Sequence, residues 1–117
     1  MRKLWPFLLA IASAVPAAAA PRSDEEVAFG IEVASRGLWK EARFRFERAV
    51  ELDPENASAL NNLAVALEQQ GEFDGARDAY EKALELKPED LYIQQNYDLF
   101  READDKRNRK KRRAENP

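Results

Sequence analysis

The sequence predicts an all-α fold in which two helix hairpins and a C-terminal capping helix stack as a short α-solenoid. Three observations predict it. Residues 23–56 align with residues 57–90 without a gap, and nine positions are identical: Gly37/Gly71, Ala42/Ala76, Arg43/Arg77, Glu47/Glu81, Ala49/Ala83, Glu51/Glu85, Leu52/Leu86, Pro54/Pro88 and Glu55/Glu89. Unrelated windows of this composition would share roughly two or three, and a fixed period of 34 residues marks stacked units. Within each unit, two blocks of apolar residues at three- and four-residue spacing are separated by a glycine, Gly37 or Gly71. After Asp90 a third copy starts and does not finish.

Each element follows from its own residues. The first helix, near 24–36, opens on Ser23 and Glu26 at capping-box spacing and stops at Gly37. The second spans about 39–52 and carries Trp39, Ala42, Phe46, Ala49 and Val50. In the third, near 57–70, Leu60, Leu63, Ala64 and Leu67 share one face until Gly71 ends it. The fourth, near 73–86, repeats the pattern with Phe73, Ala76, Tyr80, Ala83 and Leu84. Pro88 cannot extend it by hydrogen bonding and begins the next element. The small pairs Gly30/Ala64, Ala42/Ala76 and Ala49/Ala83 fall where neighbouring helices must approach closely. Leu91, Ile93, Tyr97, Phe100 and Ala103 make a fifth amphipathic helix, near 90–106, to shield the last apolar face. Two and a half units is fewer than the three or so that such arrays need, so marginal stability or support from a partner is expected.

This pattern resembles the tetratricopeptide repeat. That family writes a large apolar residue, Leu, a small residue and an aromatic or Leu on the first helix, then Ala, an aromatic, Ala and Pro on the second. Leu60, Leu63, Ala64, Leu67, Ala76, Tyr80, Ala83 and Pro88 fill all eight places in the second copy. The first copy fills five with Gly30, Ala42, Phe46, Ala49 and Pro54, and sets Phe29 and Val33 at two more. It departs at Glu26, where a large apolar residue belongs, which predicts looser packing at the start of the first helix. The resemblance covers residues 23 to about 103.

The resemblance implies a protein-binding module in which the first helix of each pair lines a concave groove. By position, that groove takes Val27 and Ile31, then Asn61, Asn62, Val65, Glu68 and Gln69, then Gln95, Asn96 and Leu99. Asn62 and Asn96 stand 34 residues apart, and side-chain amides there can bond both donors and acceptors of an extended peptide backbone. Some relatives clamp a C-terminal carboxylate with Lys beside Asn; the Lys place here is Val27, so that mode is not expected. The first helix is apolar on too many sides, with Val27, Ala28, Phe29, Ile31, Val33 and Ala34. Residues left over from the core suit a partner protein or self-association through the first repeat.

The start of the chain reads as an address. Met1, Arg2 and Lys3 precede an uncharged apolar run over residues 4–15, then Pro16 and the alanines 17–20, the pattern of a secretory signal peptide. Ala17 and Ala19 suit cleavage after Ala19. The expected mature chain is exported, periplasmic or secreted, and bacterial in the style of its signal. The alternative is an N-terminal membrane anchor, although residues 4–20 are at the short limit for a span and contain Pro6 and Pro16. The parts are then a signal over 1–19, units over 23–56 and 57–90, a cap over 91–105, and a basic tail over 106–117.

Charge is segregated. Residues 20–105 carry 10 basic and 21 acidic side chains, whereas Lys106, Arg107, Arg109, Lys110, Lys111, Arg112 and Arg113 crowd into eight positions. The tail reads either as a solvated helix extension or as an attachment site for an anionic surface or acidic partner. Nucleic acid is disfavoured by export and by the lack of interleaved aromatic residues for stacking. The tail also lacks the large apolar residues of a membrane-lying helix. Catalysis is not expected. With no Cys and no His, the chain has no thiolate nucleophile, no imidazole base, no zinc-thiolate site and no common His-based metal site, and no cofactor is expected. Only Ser23, Ser35 and Ser58 offer serine hydroxyls after the signal, with nothing to activate them.

Overall fold

Five helices follow one another along the described part of the chain: α1 Ser23–Ser35, α2 Trp39–Leu52, α3 Ala57–Gln69, α4 Phe73–Leu86 and α5 Leu91–Glu115. The structure, a computed structural model, describes residues 22–117. The expected signal peptide over 1–19 lies outside the described residues.

The boundaries have local causes. Asn56 caps α3 by accepting from the Ala59 N–H at 3.1 Å, and Asp90, 34 residues later, caps α5 by accepting from Tyr92 and Ile93 at 3.0 and 3.1 Å. Gly37 and Gly71 take φ of 75° and 78°, which side chains with a Cβ avoid, and so end α1 and α3. The start of α1 differs from its expected capping box. Arg22 is the N-cap, its N–H bonds Glu25 at 3.3 Å, and Ser23 is already helical. The Ser23 hydroxyl instead donates to the Ala49 carbonyl at 2.7 Å and receives the Asn56 side chain at 2.9 Å, tying three elements together.

α1 packs on α2 and α3 on α4 as antiparallel hairpins. α1 also touches α3 and α3 touches α5, whereas α2 and α4 do not meet. A stack that is closer on one side than the other curves toward the close side, so α1, α3 and α5 form the concave layer. Fully buried Phe46, Tyr80 and Phe100 fill the space between layers, with Ala42, Ala49, Ala64, Ala76 and Ala83 at the close approaches. Gly30 is one such approach: a Cβ there would stand 2.5 Å from the Phe46 ring. Ile93 and Phe100 of α5 cover the exposed end of the second hairpin, and the Phe100 ring lies 5.4 Å from that of Tyr80.

Two expectations need revision. The first helix is not loose at its start: Glu26 is only 4% exposed, with Arg45 and Arg48 of α2 each at 3.5 Å. An ion cluster between α1 and α2 takes the place of the apolar contact. The fifth helix, expected to end near 106, continues to Glu115, so the basic segment is helical. Arg77 of α4 and Arg107 both bond Asp104, Lys106 pairs with Glu102 at 2.9 Å, and clustered cations suit a helix C-terminus. Among the described residues no helix is long and apolar enough to cross a membrane.

Candidate functional site

Because the concave layer repeats every 34 residues, its exposed positions form rows across α1, α3 and α5. One row is apolar: Ile31 (49% exposed), half-buried Val65 and Leu99 (60% exposed) occupy equivalent places. A second row holds Ala28, Asn62 and Asn96, and Gln69 and Gln95 are exposed nearby on α3 and α5. An apolar line flanked by amides can take the side chains of an extended segment and bond its backbone.

Not every expected groove residue faces it. Val27 is buried against Ala49 and Ala59, because the start of α1 turns toward the junction with α3. Asn61 is 1% exposed, and its side-chain oxygen accepts from the Asn96 amide at 3.2 Å. That bond satisfies a buried polar group and joins α3 to α5. Asn62 turns its amide donor back to the Ser58 carbonyl at 2.8 Å. Both expected amides therefore have intramolecular partners. Glu68 accepts from the Tyr80 hydroxyl at 3.0 Å, and burial together with that carboxylate pushes the tyrosine well above its ordinary range. Ile31, Val65, Gln69, Gln95 and Leu99 remain as the accessible lining.

The leftover apolar residues of α1 divide in two. Val33 joins Val27 in the core, while Phe29 stays partly exposed beneath the Arg45 guanidinium, 4.5 Å from its ring centre. Beyond the first hairpin turn, Leu38, Trp39 and Phe44 line an open apolar hollow of about 730 Å³.

The basic residues are not equivalent. Arg107 folds back onto α4, with its guanidinium 3.6 Å from the centre of the Phe73 ring and 3.2 Å from Asp104. Lys111 helps line the cleft there. Lys106, Arg109, Lys110, Lys111, Arg112 and Arg113 are exposed, whereas Arg107 is partly buried. The bonding of Asp104 by Arg77 and Arg107 was not foreseen from residue order, though a signal existed. Arg43 and Arg77 are identical across the repeat, and Arg43 reaches Gln70 at 3.2 Å just as Arg77 reaches Asp104, 34 residues on.

The Tetratricopeptide repeat family pattern matches residues 27–90. Among solved structures, the fold is similar to a crystal structure of the Sgt2 TPR domain from Aspergillus fumigatus. The TM-score is 0.72 at 20% identity, over 78% of this chain and 62% of that chain. The present chain thus spans under two thirds of the length of that structure. No curated protein matches it.

Proposed function

The chain belongs to the tetratricopeptide repeat family, and on that premise we propose that it is an exported adaptor or assembly factor that binds another protein in the concave groove. Domains of this kind bind proteins and peptides and generally act as scaffolds. The observation that carries the reading is the apolar row of exposed Ile31, half-buried Val65 and exposed Leu99 on the layer that curves inward. A folded monomer gains nothing by leaving such residues in water at matching places in successive units. Export rests on the signal pattern of residues 1–19.

A second reading has its own observation. Six exposed cations on a helix that outlasts its neighbours suit attachment to an anionic surface. A pull-down from the exported fraction separates the two readings. The adaptor reading expects the partner to be lost from an Ile31→Asp, Leu99→Asp chain and still to be captured, at most more weakly, after deletion of residues 106–117. Retention by the groove variant, with salt-sensitive loss on tail deletion, would reverse the conclusion.

A further inference from the structure

We propose that the groove's occupant is an extended polypeptide segment in which apolar side chains are followed by an acidic run, with the acidic run held by Lys106, Lys110 and Arg113. The inference rests on the groove reading and deepens it. α5 is 25 residues long against 13 for α1 and for α3. At 1.5 Å per residue it projects about 18 Å beyond the end of the concave layer. At 100° per residue, Leu99, Lys106, Lys110 and Arg113 fall within about 60° of one another around α5. The apolar row and the exposed cations therefore lie on one face: apolar within the groove, positive where α5 runs past it. Arg109 stands on its flank.

The overhang is held at its base. Asp104 is bonded by Arg77 and Arg107, and Arg107 lies on Phe73, so the helix leaves the concave layer in a set direction before any partner arrives. Lys106 also pairs with Glu102 at 2.9 Å, which leaves Lys110 and Arg113 as the foremost cations for an incoming acid. The rest of the chain repels one: residues 22–105 contain 10 basic and 21 acidic side chains. An acidic run is thus drawn to one end of the groove, and this sets the direction of the bound segment. The apolar and basic stretches are consecutive along α5 rather than on opposite faces, the reverse of a helix lying on a membrane.

The test is selection of random 16-residue peptides on the chain as its own host produces it. Two variants run in parallel: one with Lys106, Arg109, Lys110 and Arg113 all changed to Gln, and Ile31→Asp with Leu99→Asp. Both change exposed side chains, and circular dichroism is expected to show helicity matching the unmodified chain. The unmodified chain enriches peptides bearing an acidic run beside apolar residues. The Gln variant keeps the apolar preference, loses the acidic one and binds the best acidic peptide at least tenfold more weakly, with a shallower salt dependence. Peptides with no acidic bias, or with a bias unchanged in the Gln variant, overturn this inference, while the groove reading stands if Ile31→Asp, Leu99→Asp abolishes enrichment. Enrichment that survives the groove variant, or no enrichment at all, overturns both. Salt-sensitive sedimentation with phosphatidylglycerol vesicles, lost in the Gln variant while peptide binding is unchanged, assigns the cations to lipid and also overturns it.

Discussion

Gly30 lies within α1 and Gly75 within α4, and their surroundings predict opposite responses to a methyl group. At Gly30 an added Cβ meets Phe46 ring atoms at 2.5 and 2.8 Å in a packed core. Gly30→Ala is expected to cost about 1–3 kcal/mol, read from the thermal melt. At exposed Gly75 the nearest atom is a Leu67 methyl at 3.4 Å, an ordinary contact. Gly75→Ala there should gain about 0.5–1 kcal/mol through helix propensity. Tyr80 supplies a pH dependence. Its folded pKa is raised, chiefly by burial and then by Glu68, as that of Tyr97 is by burial and its bond to Glu81. Raised groups stabilise fully below their unfolded value, about 10 for Tyr, and that stability is lost as pH climbs above it. Stability should therefore fall above about pH 10, and Tyr80→Phe should flatten that fall in alkaline melts. Phe46, at the equivalent place in the first unit, indicates that the ring fits without its hydroxyl.

Helix spacing and the two glycine stops were legible because they are local. The length of α5 was not, because it depends on a contact across 27 residues. Arg77 reaches Asp104 only after the second hairpin has folded, and the run from 106 to 113 carries no apolar face to signal that it packs. The Glu26 cluster was hidden for the same reason: its partners Arg45 and Arg48 lie on the next helix. Asp98 and Arg101 stand where Ala64 and Leu67 stand one unit earlier, and both are exposed. α5 therefore offers no seat for a further helix and closes the stack. Asp104→Ala removes the shared acceptor of Arg77 and Arg107. It should destabilise the chain by about 1–3 kcal/mol, a value moderated because both arginines are partly exposed. Amide exchange should then speed up over 105–115 while α3 stays protected.

At the scale of the whole molecule, the family places of the concave layer were readable, but their burial was not. A position pattern states which face a residue occupies; it does not reveal that Val27 sinks between α2 and α3, or that Asn96 spends its amide on Asn61. Stability belongs at this scale as well. Two and a half units bury a short core, so the isolated chain should melt at or below about 60 °C and rise when its partner is bound. A cooperative monomer melting well above that range would remove the need for support. The central claim is that the inward-curving layer is where a partner binds. It is tested most directly by a photo-crosslinking amino acid placed at Leu99, and separately at Phe44 of α2, 53% exposed on the outer layer. With the chain produced in its own host, a partner adduct is expected from position 99 and none from position 44. Adducts from position 44 alone would contradict it.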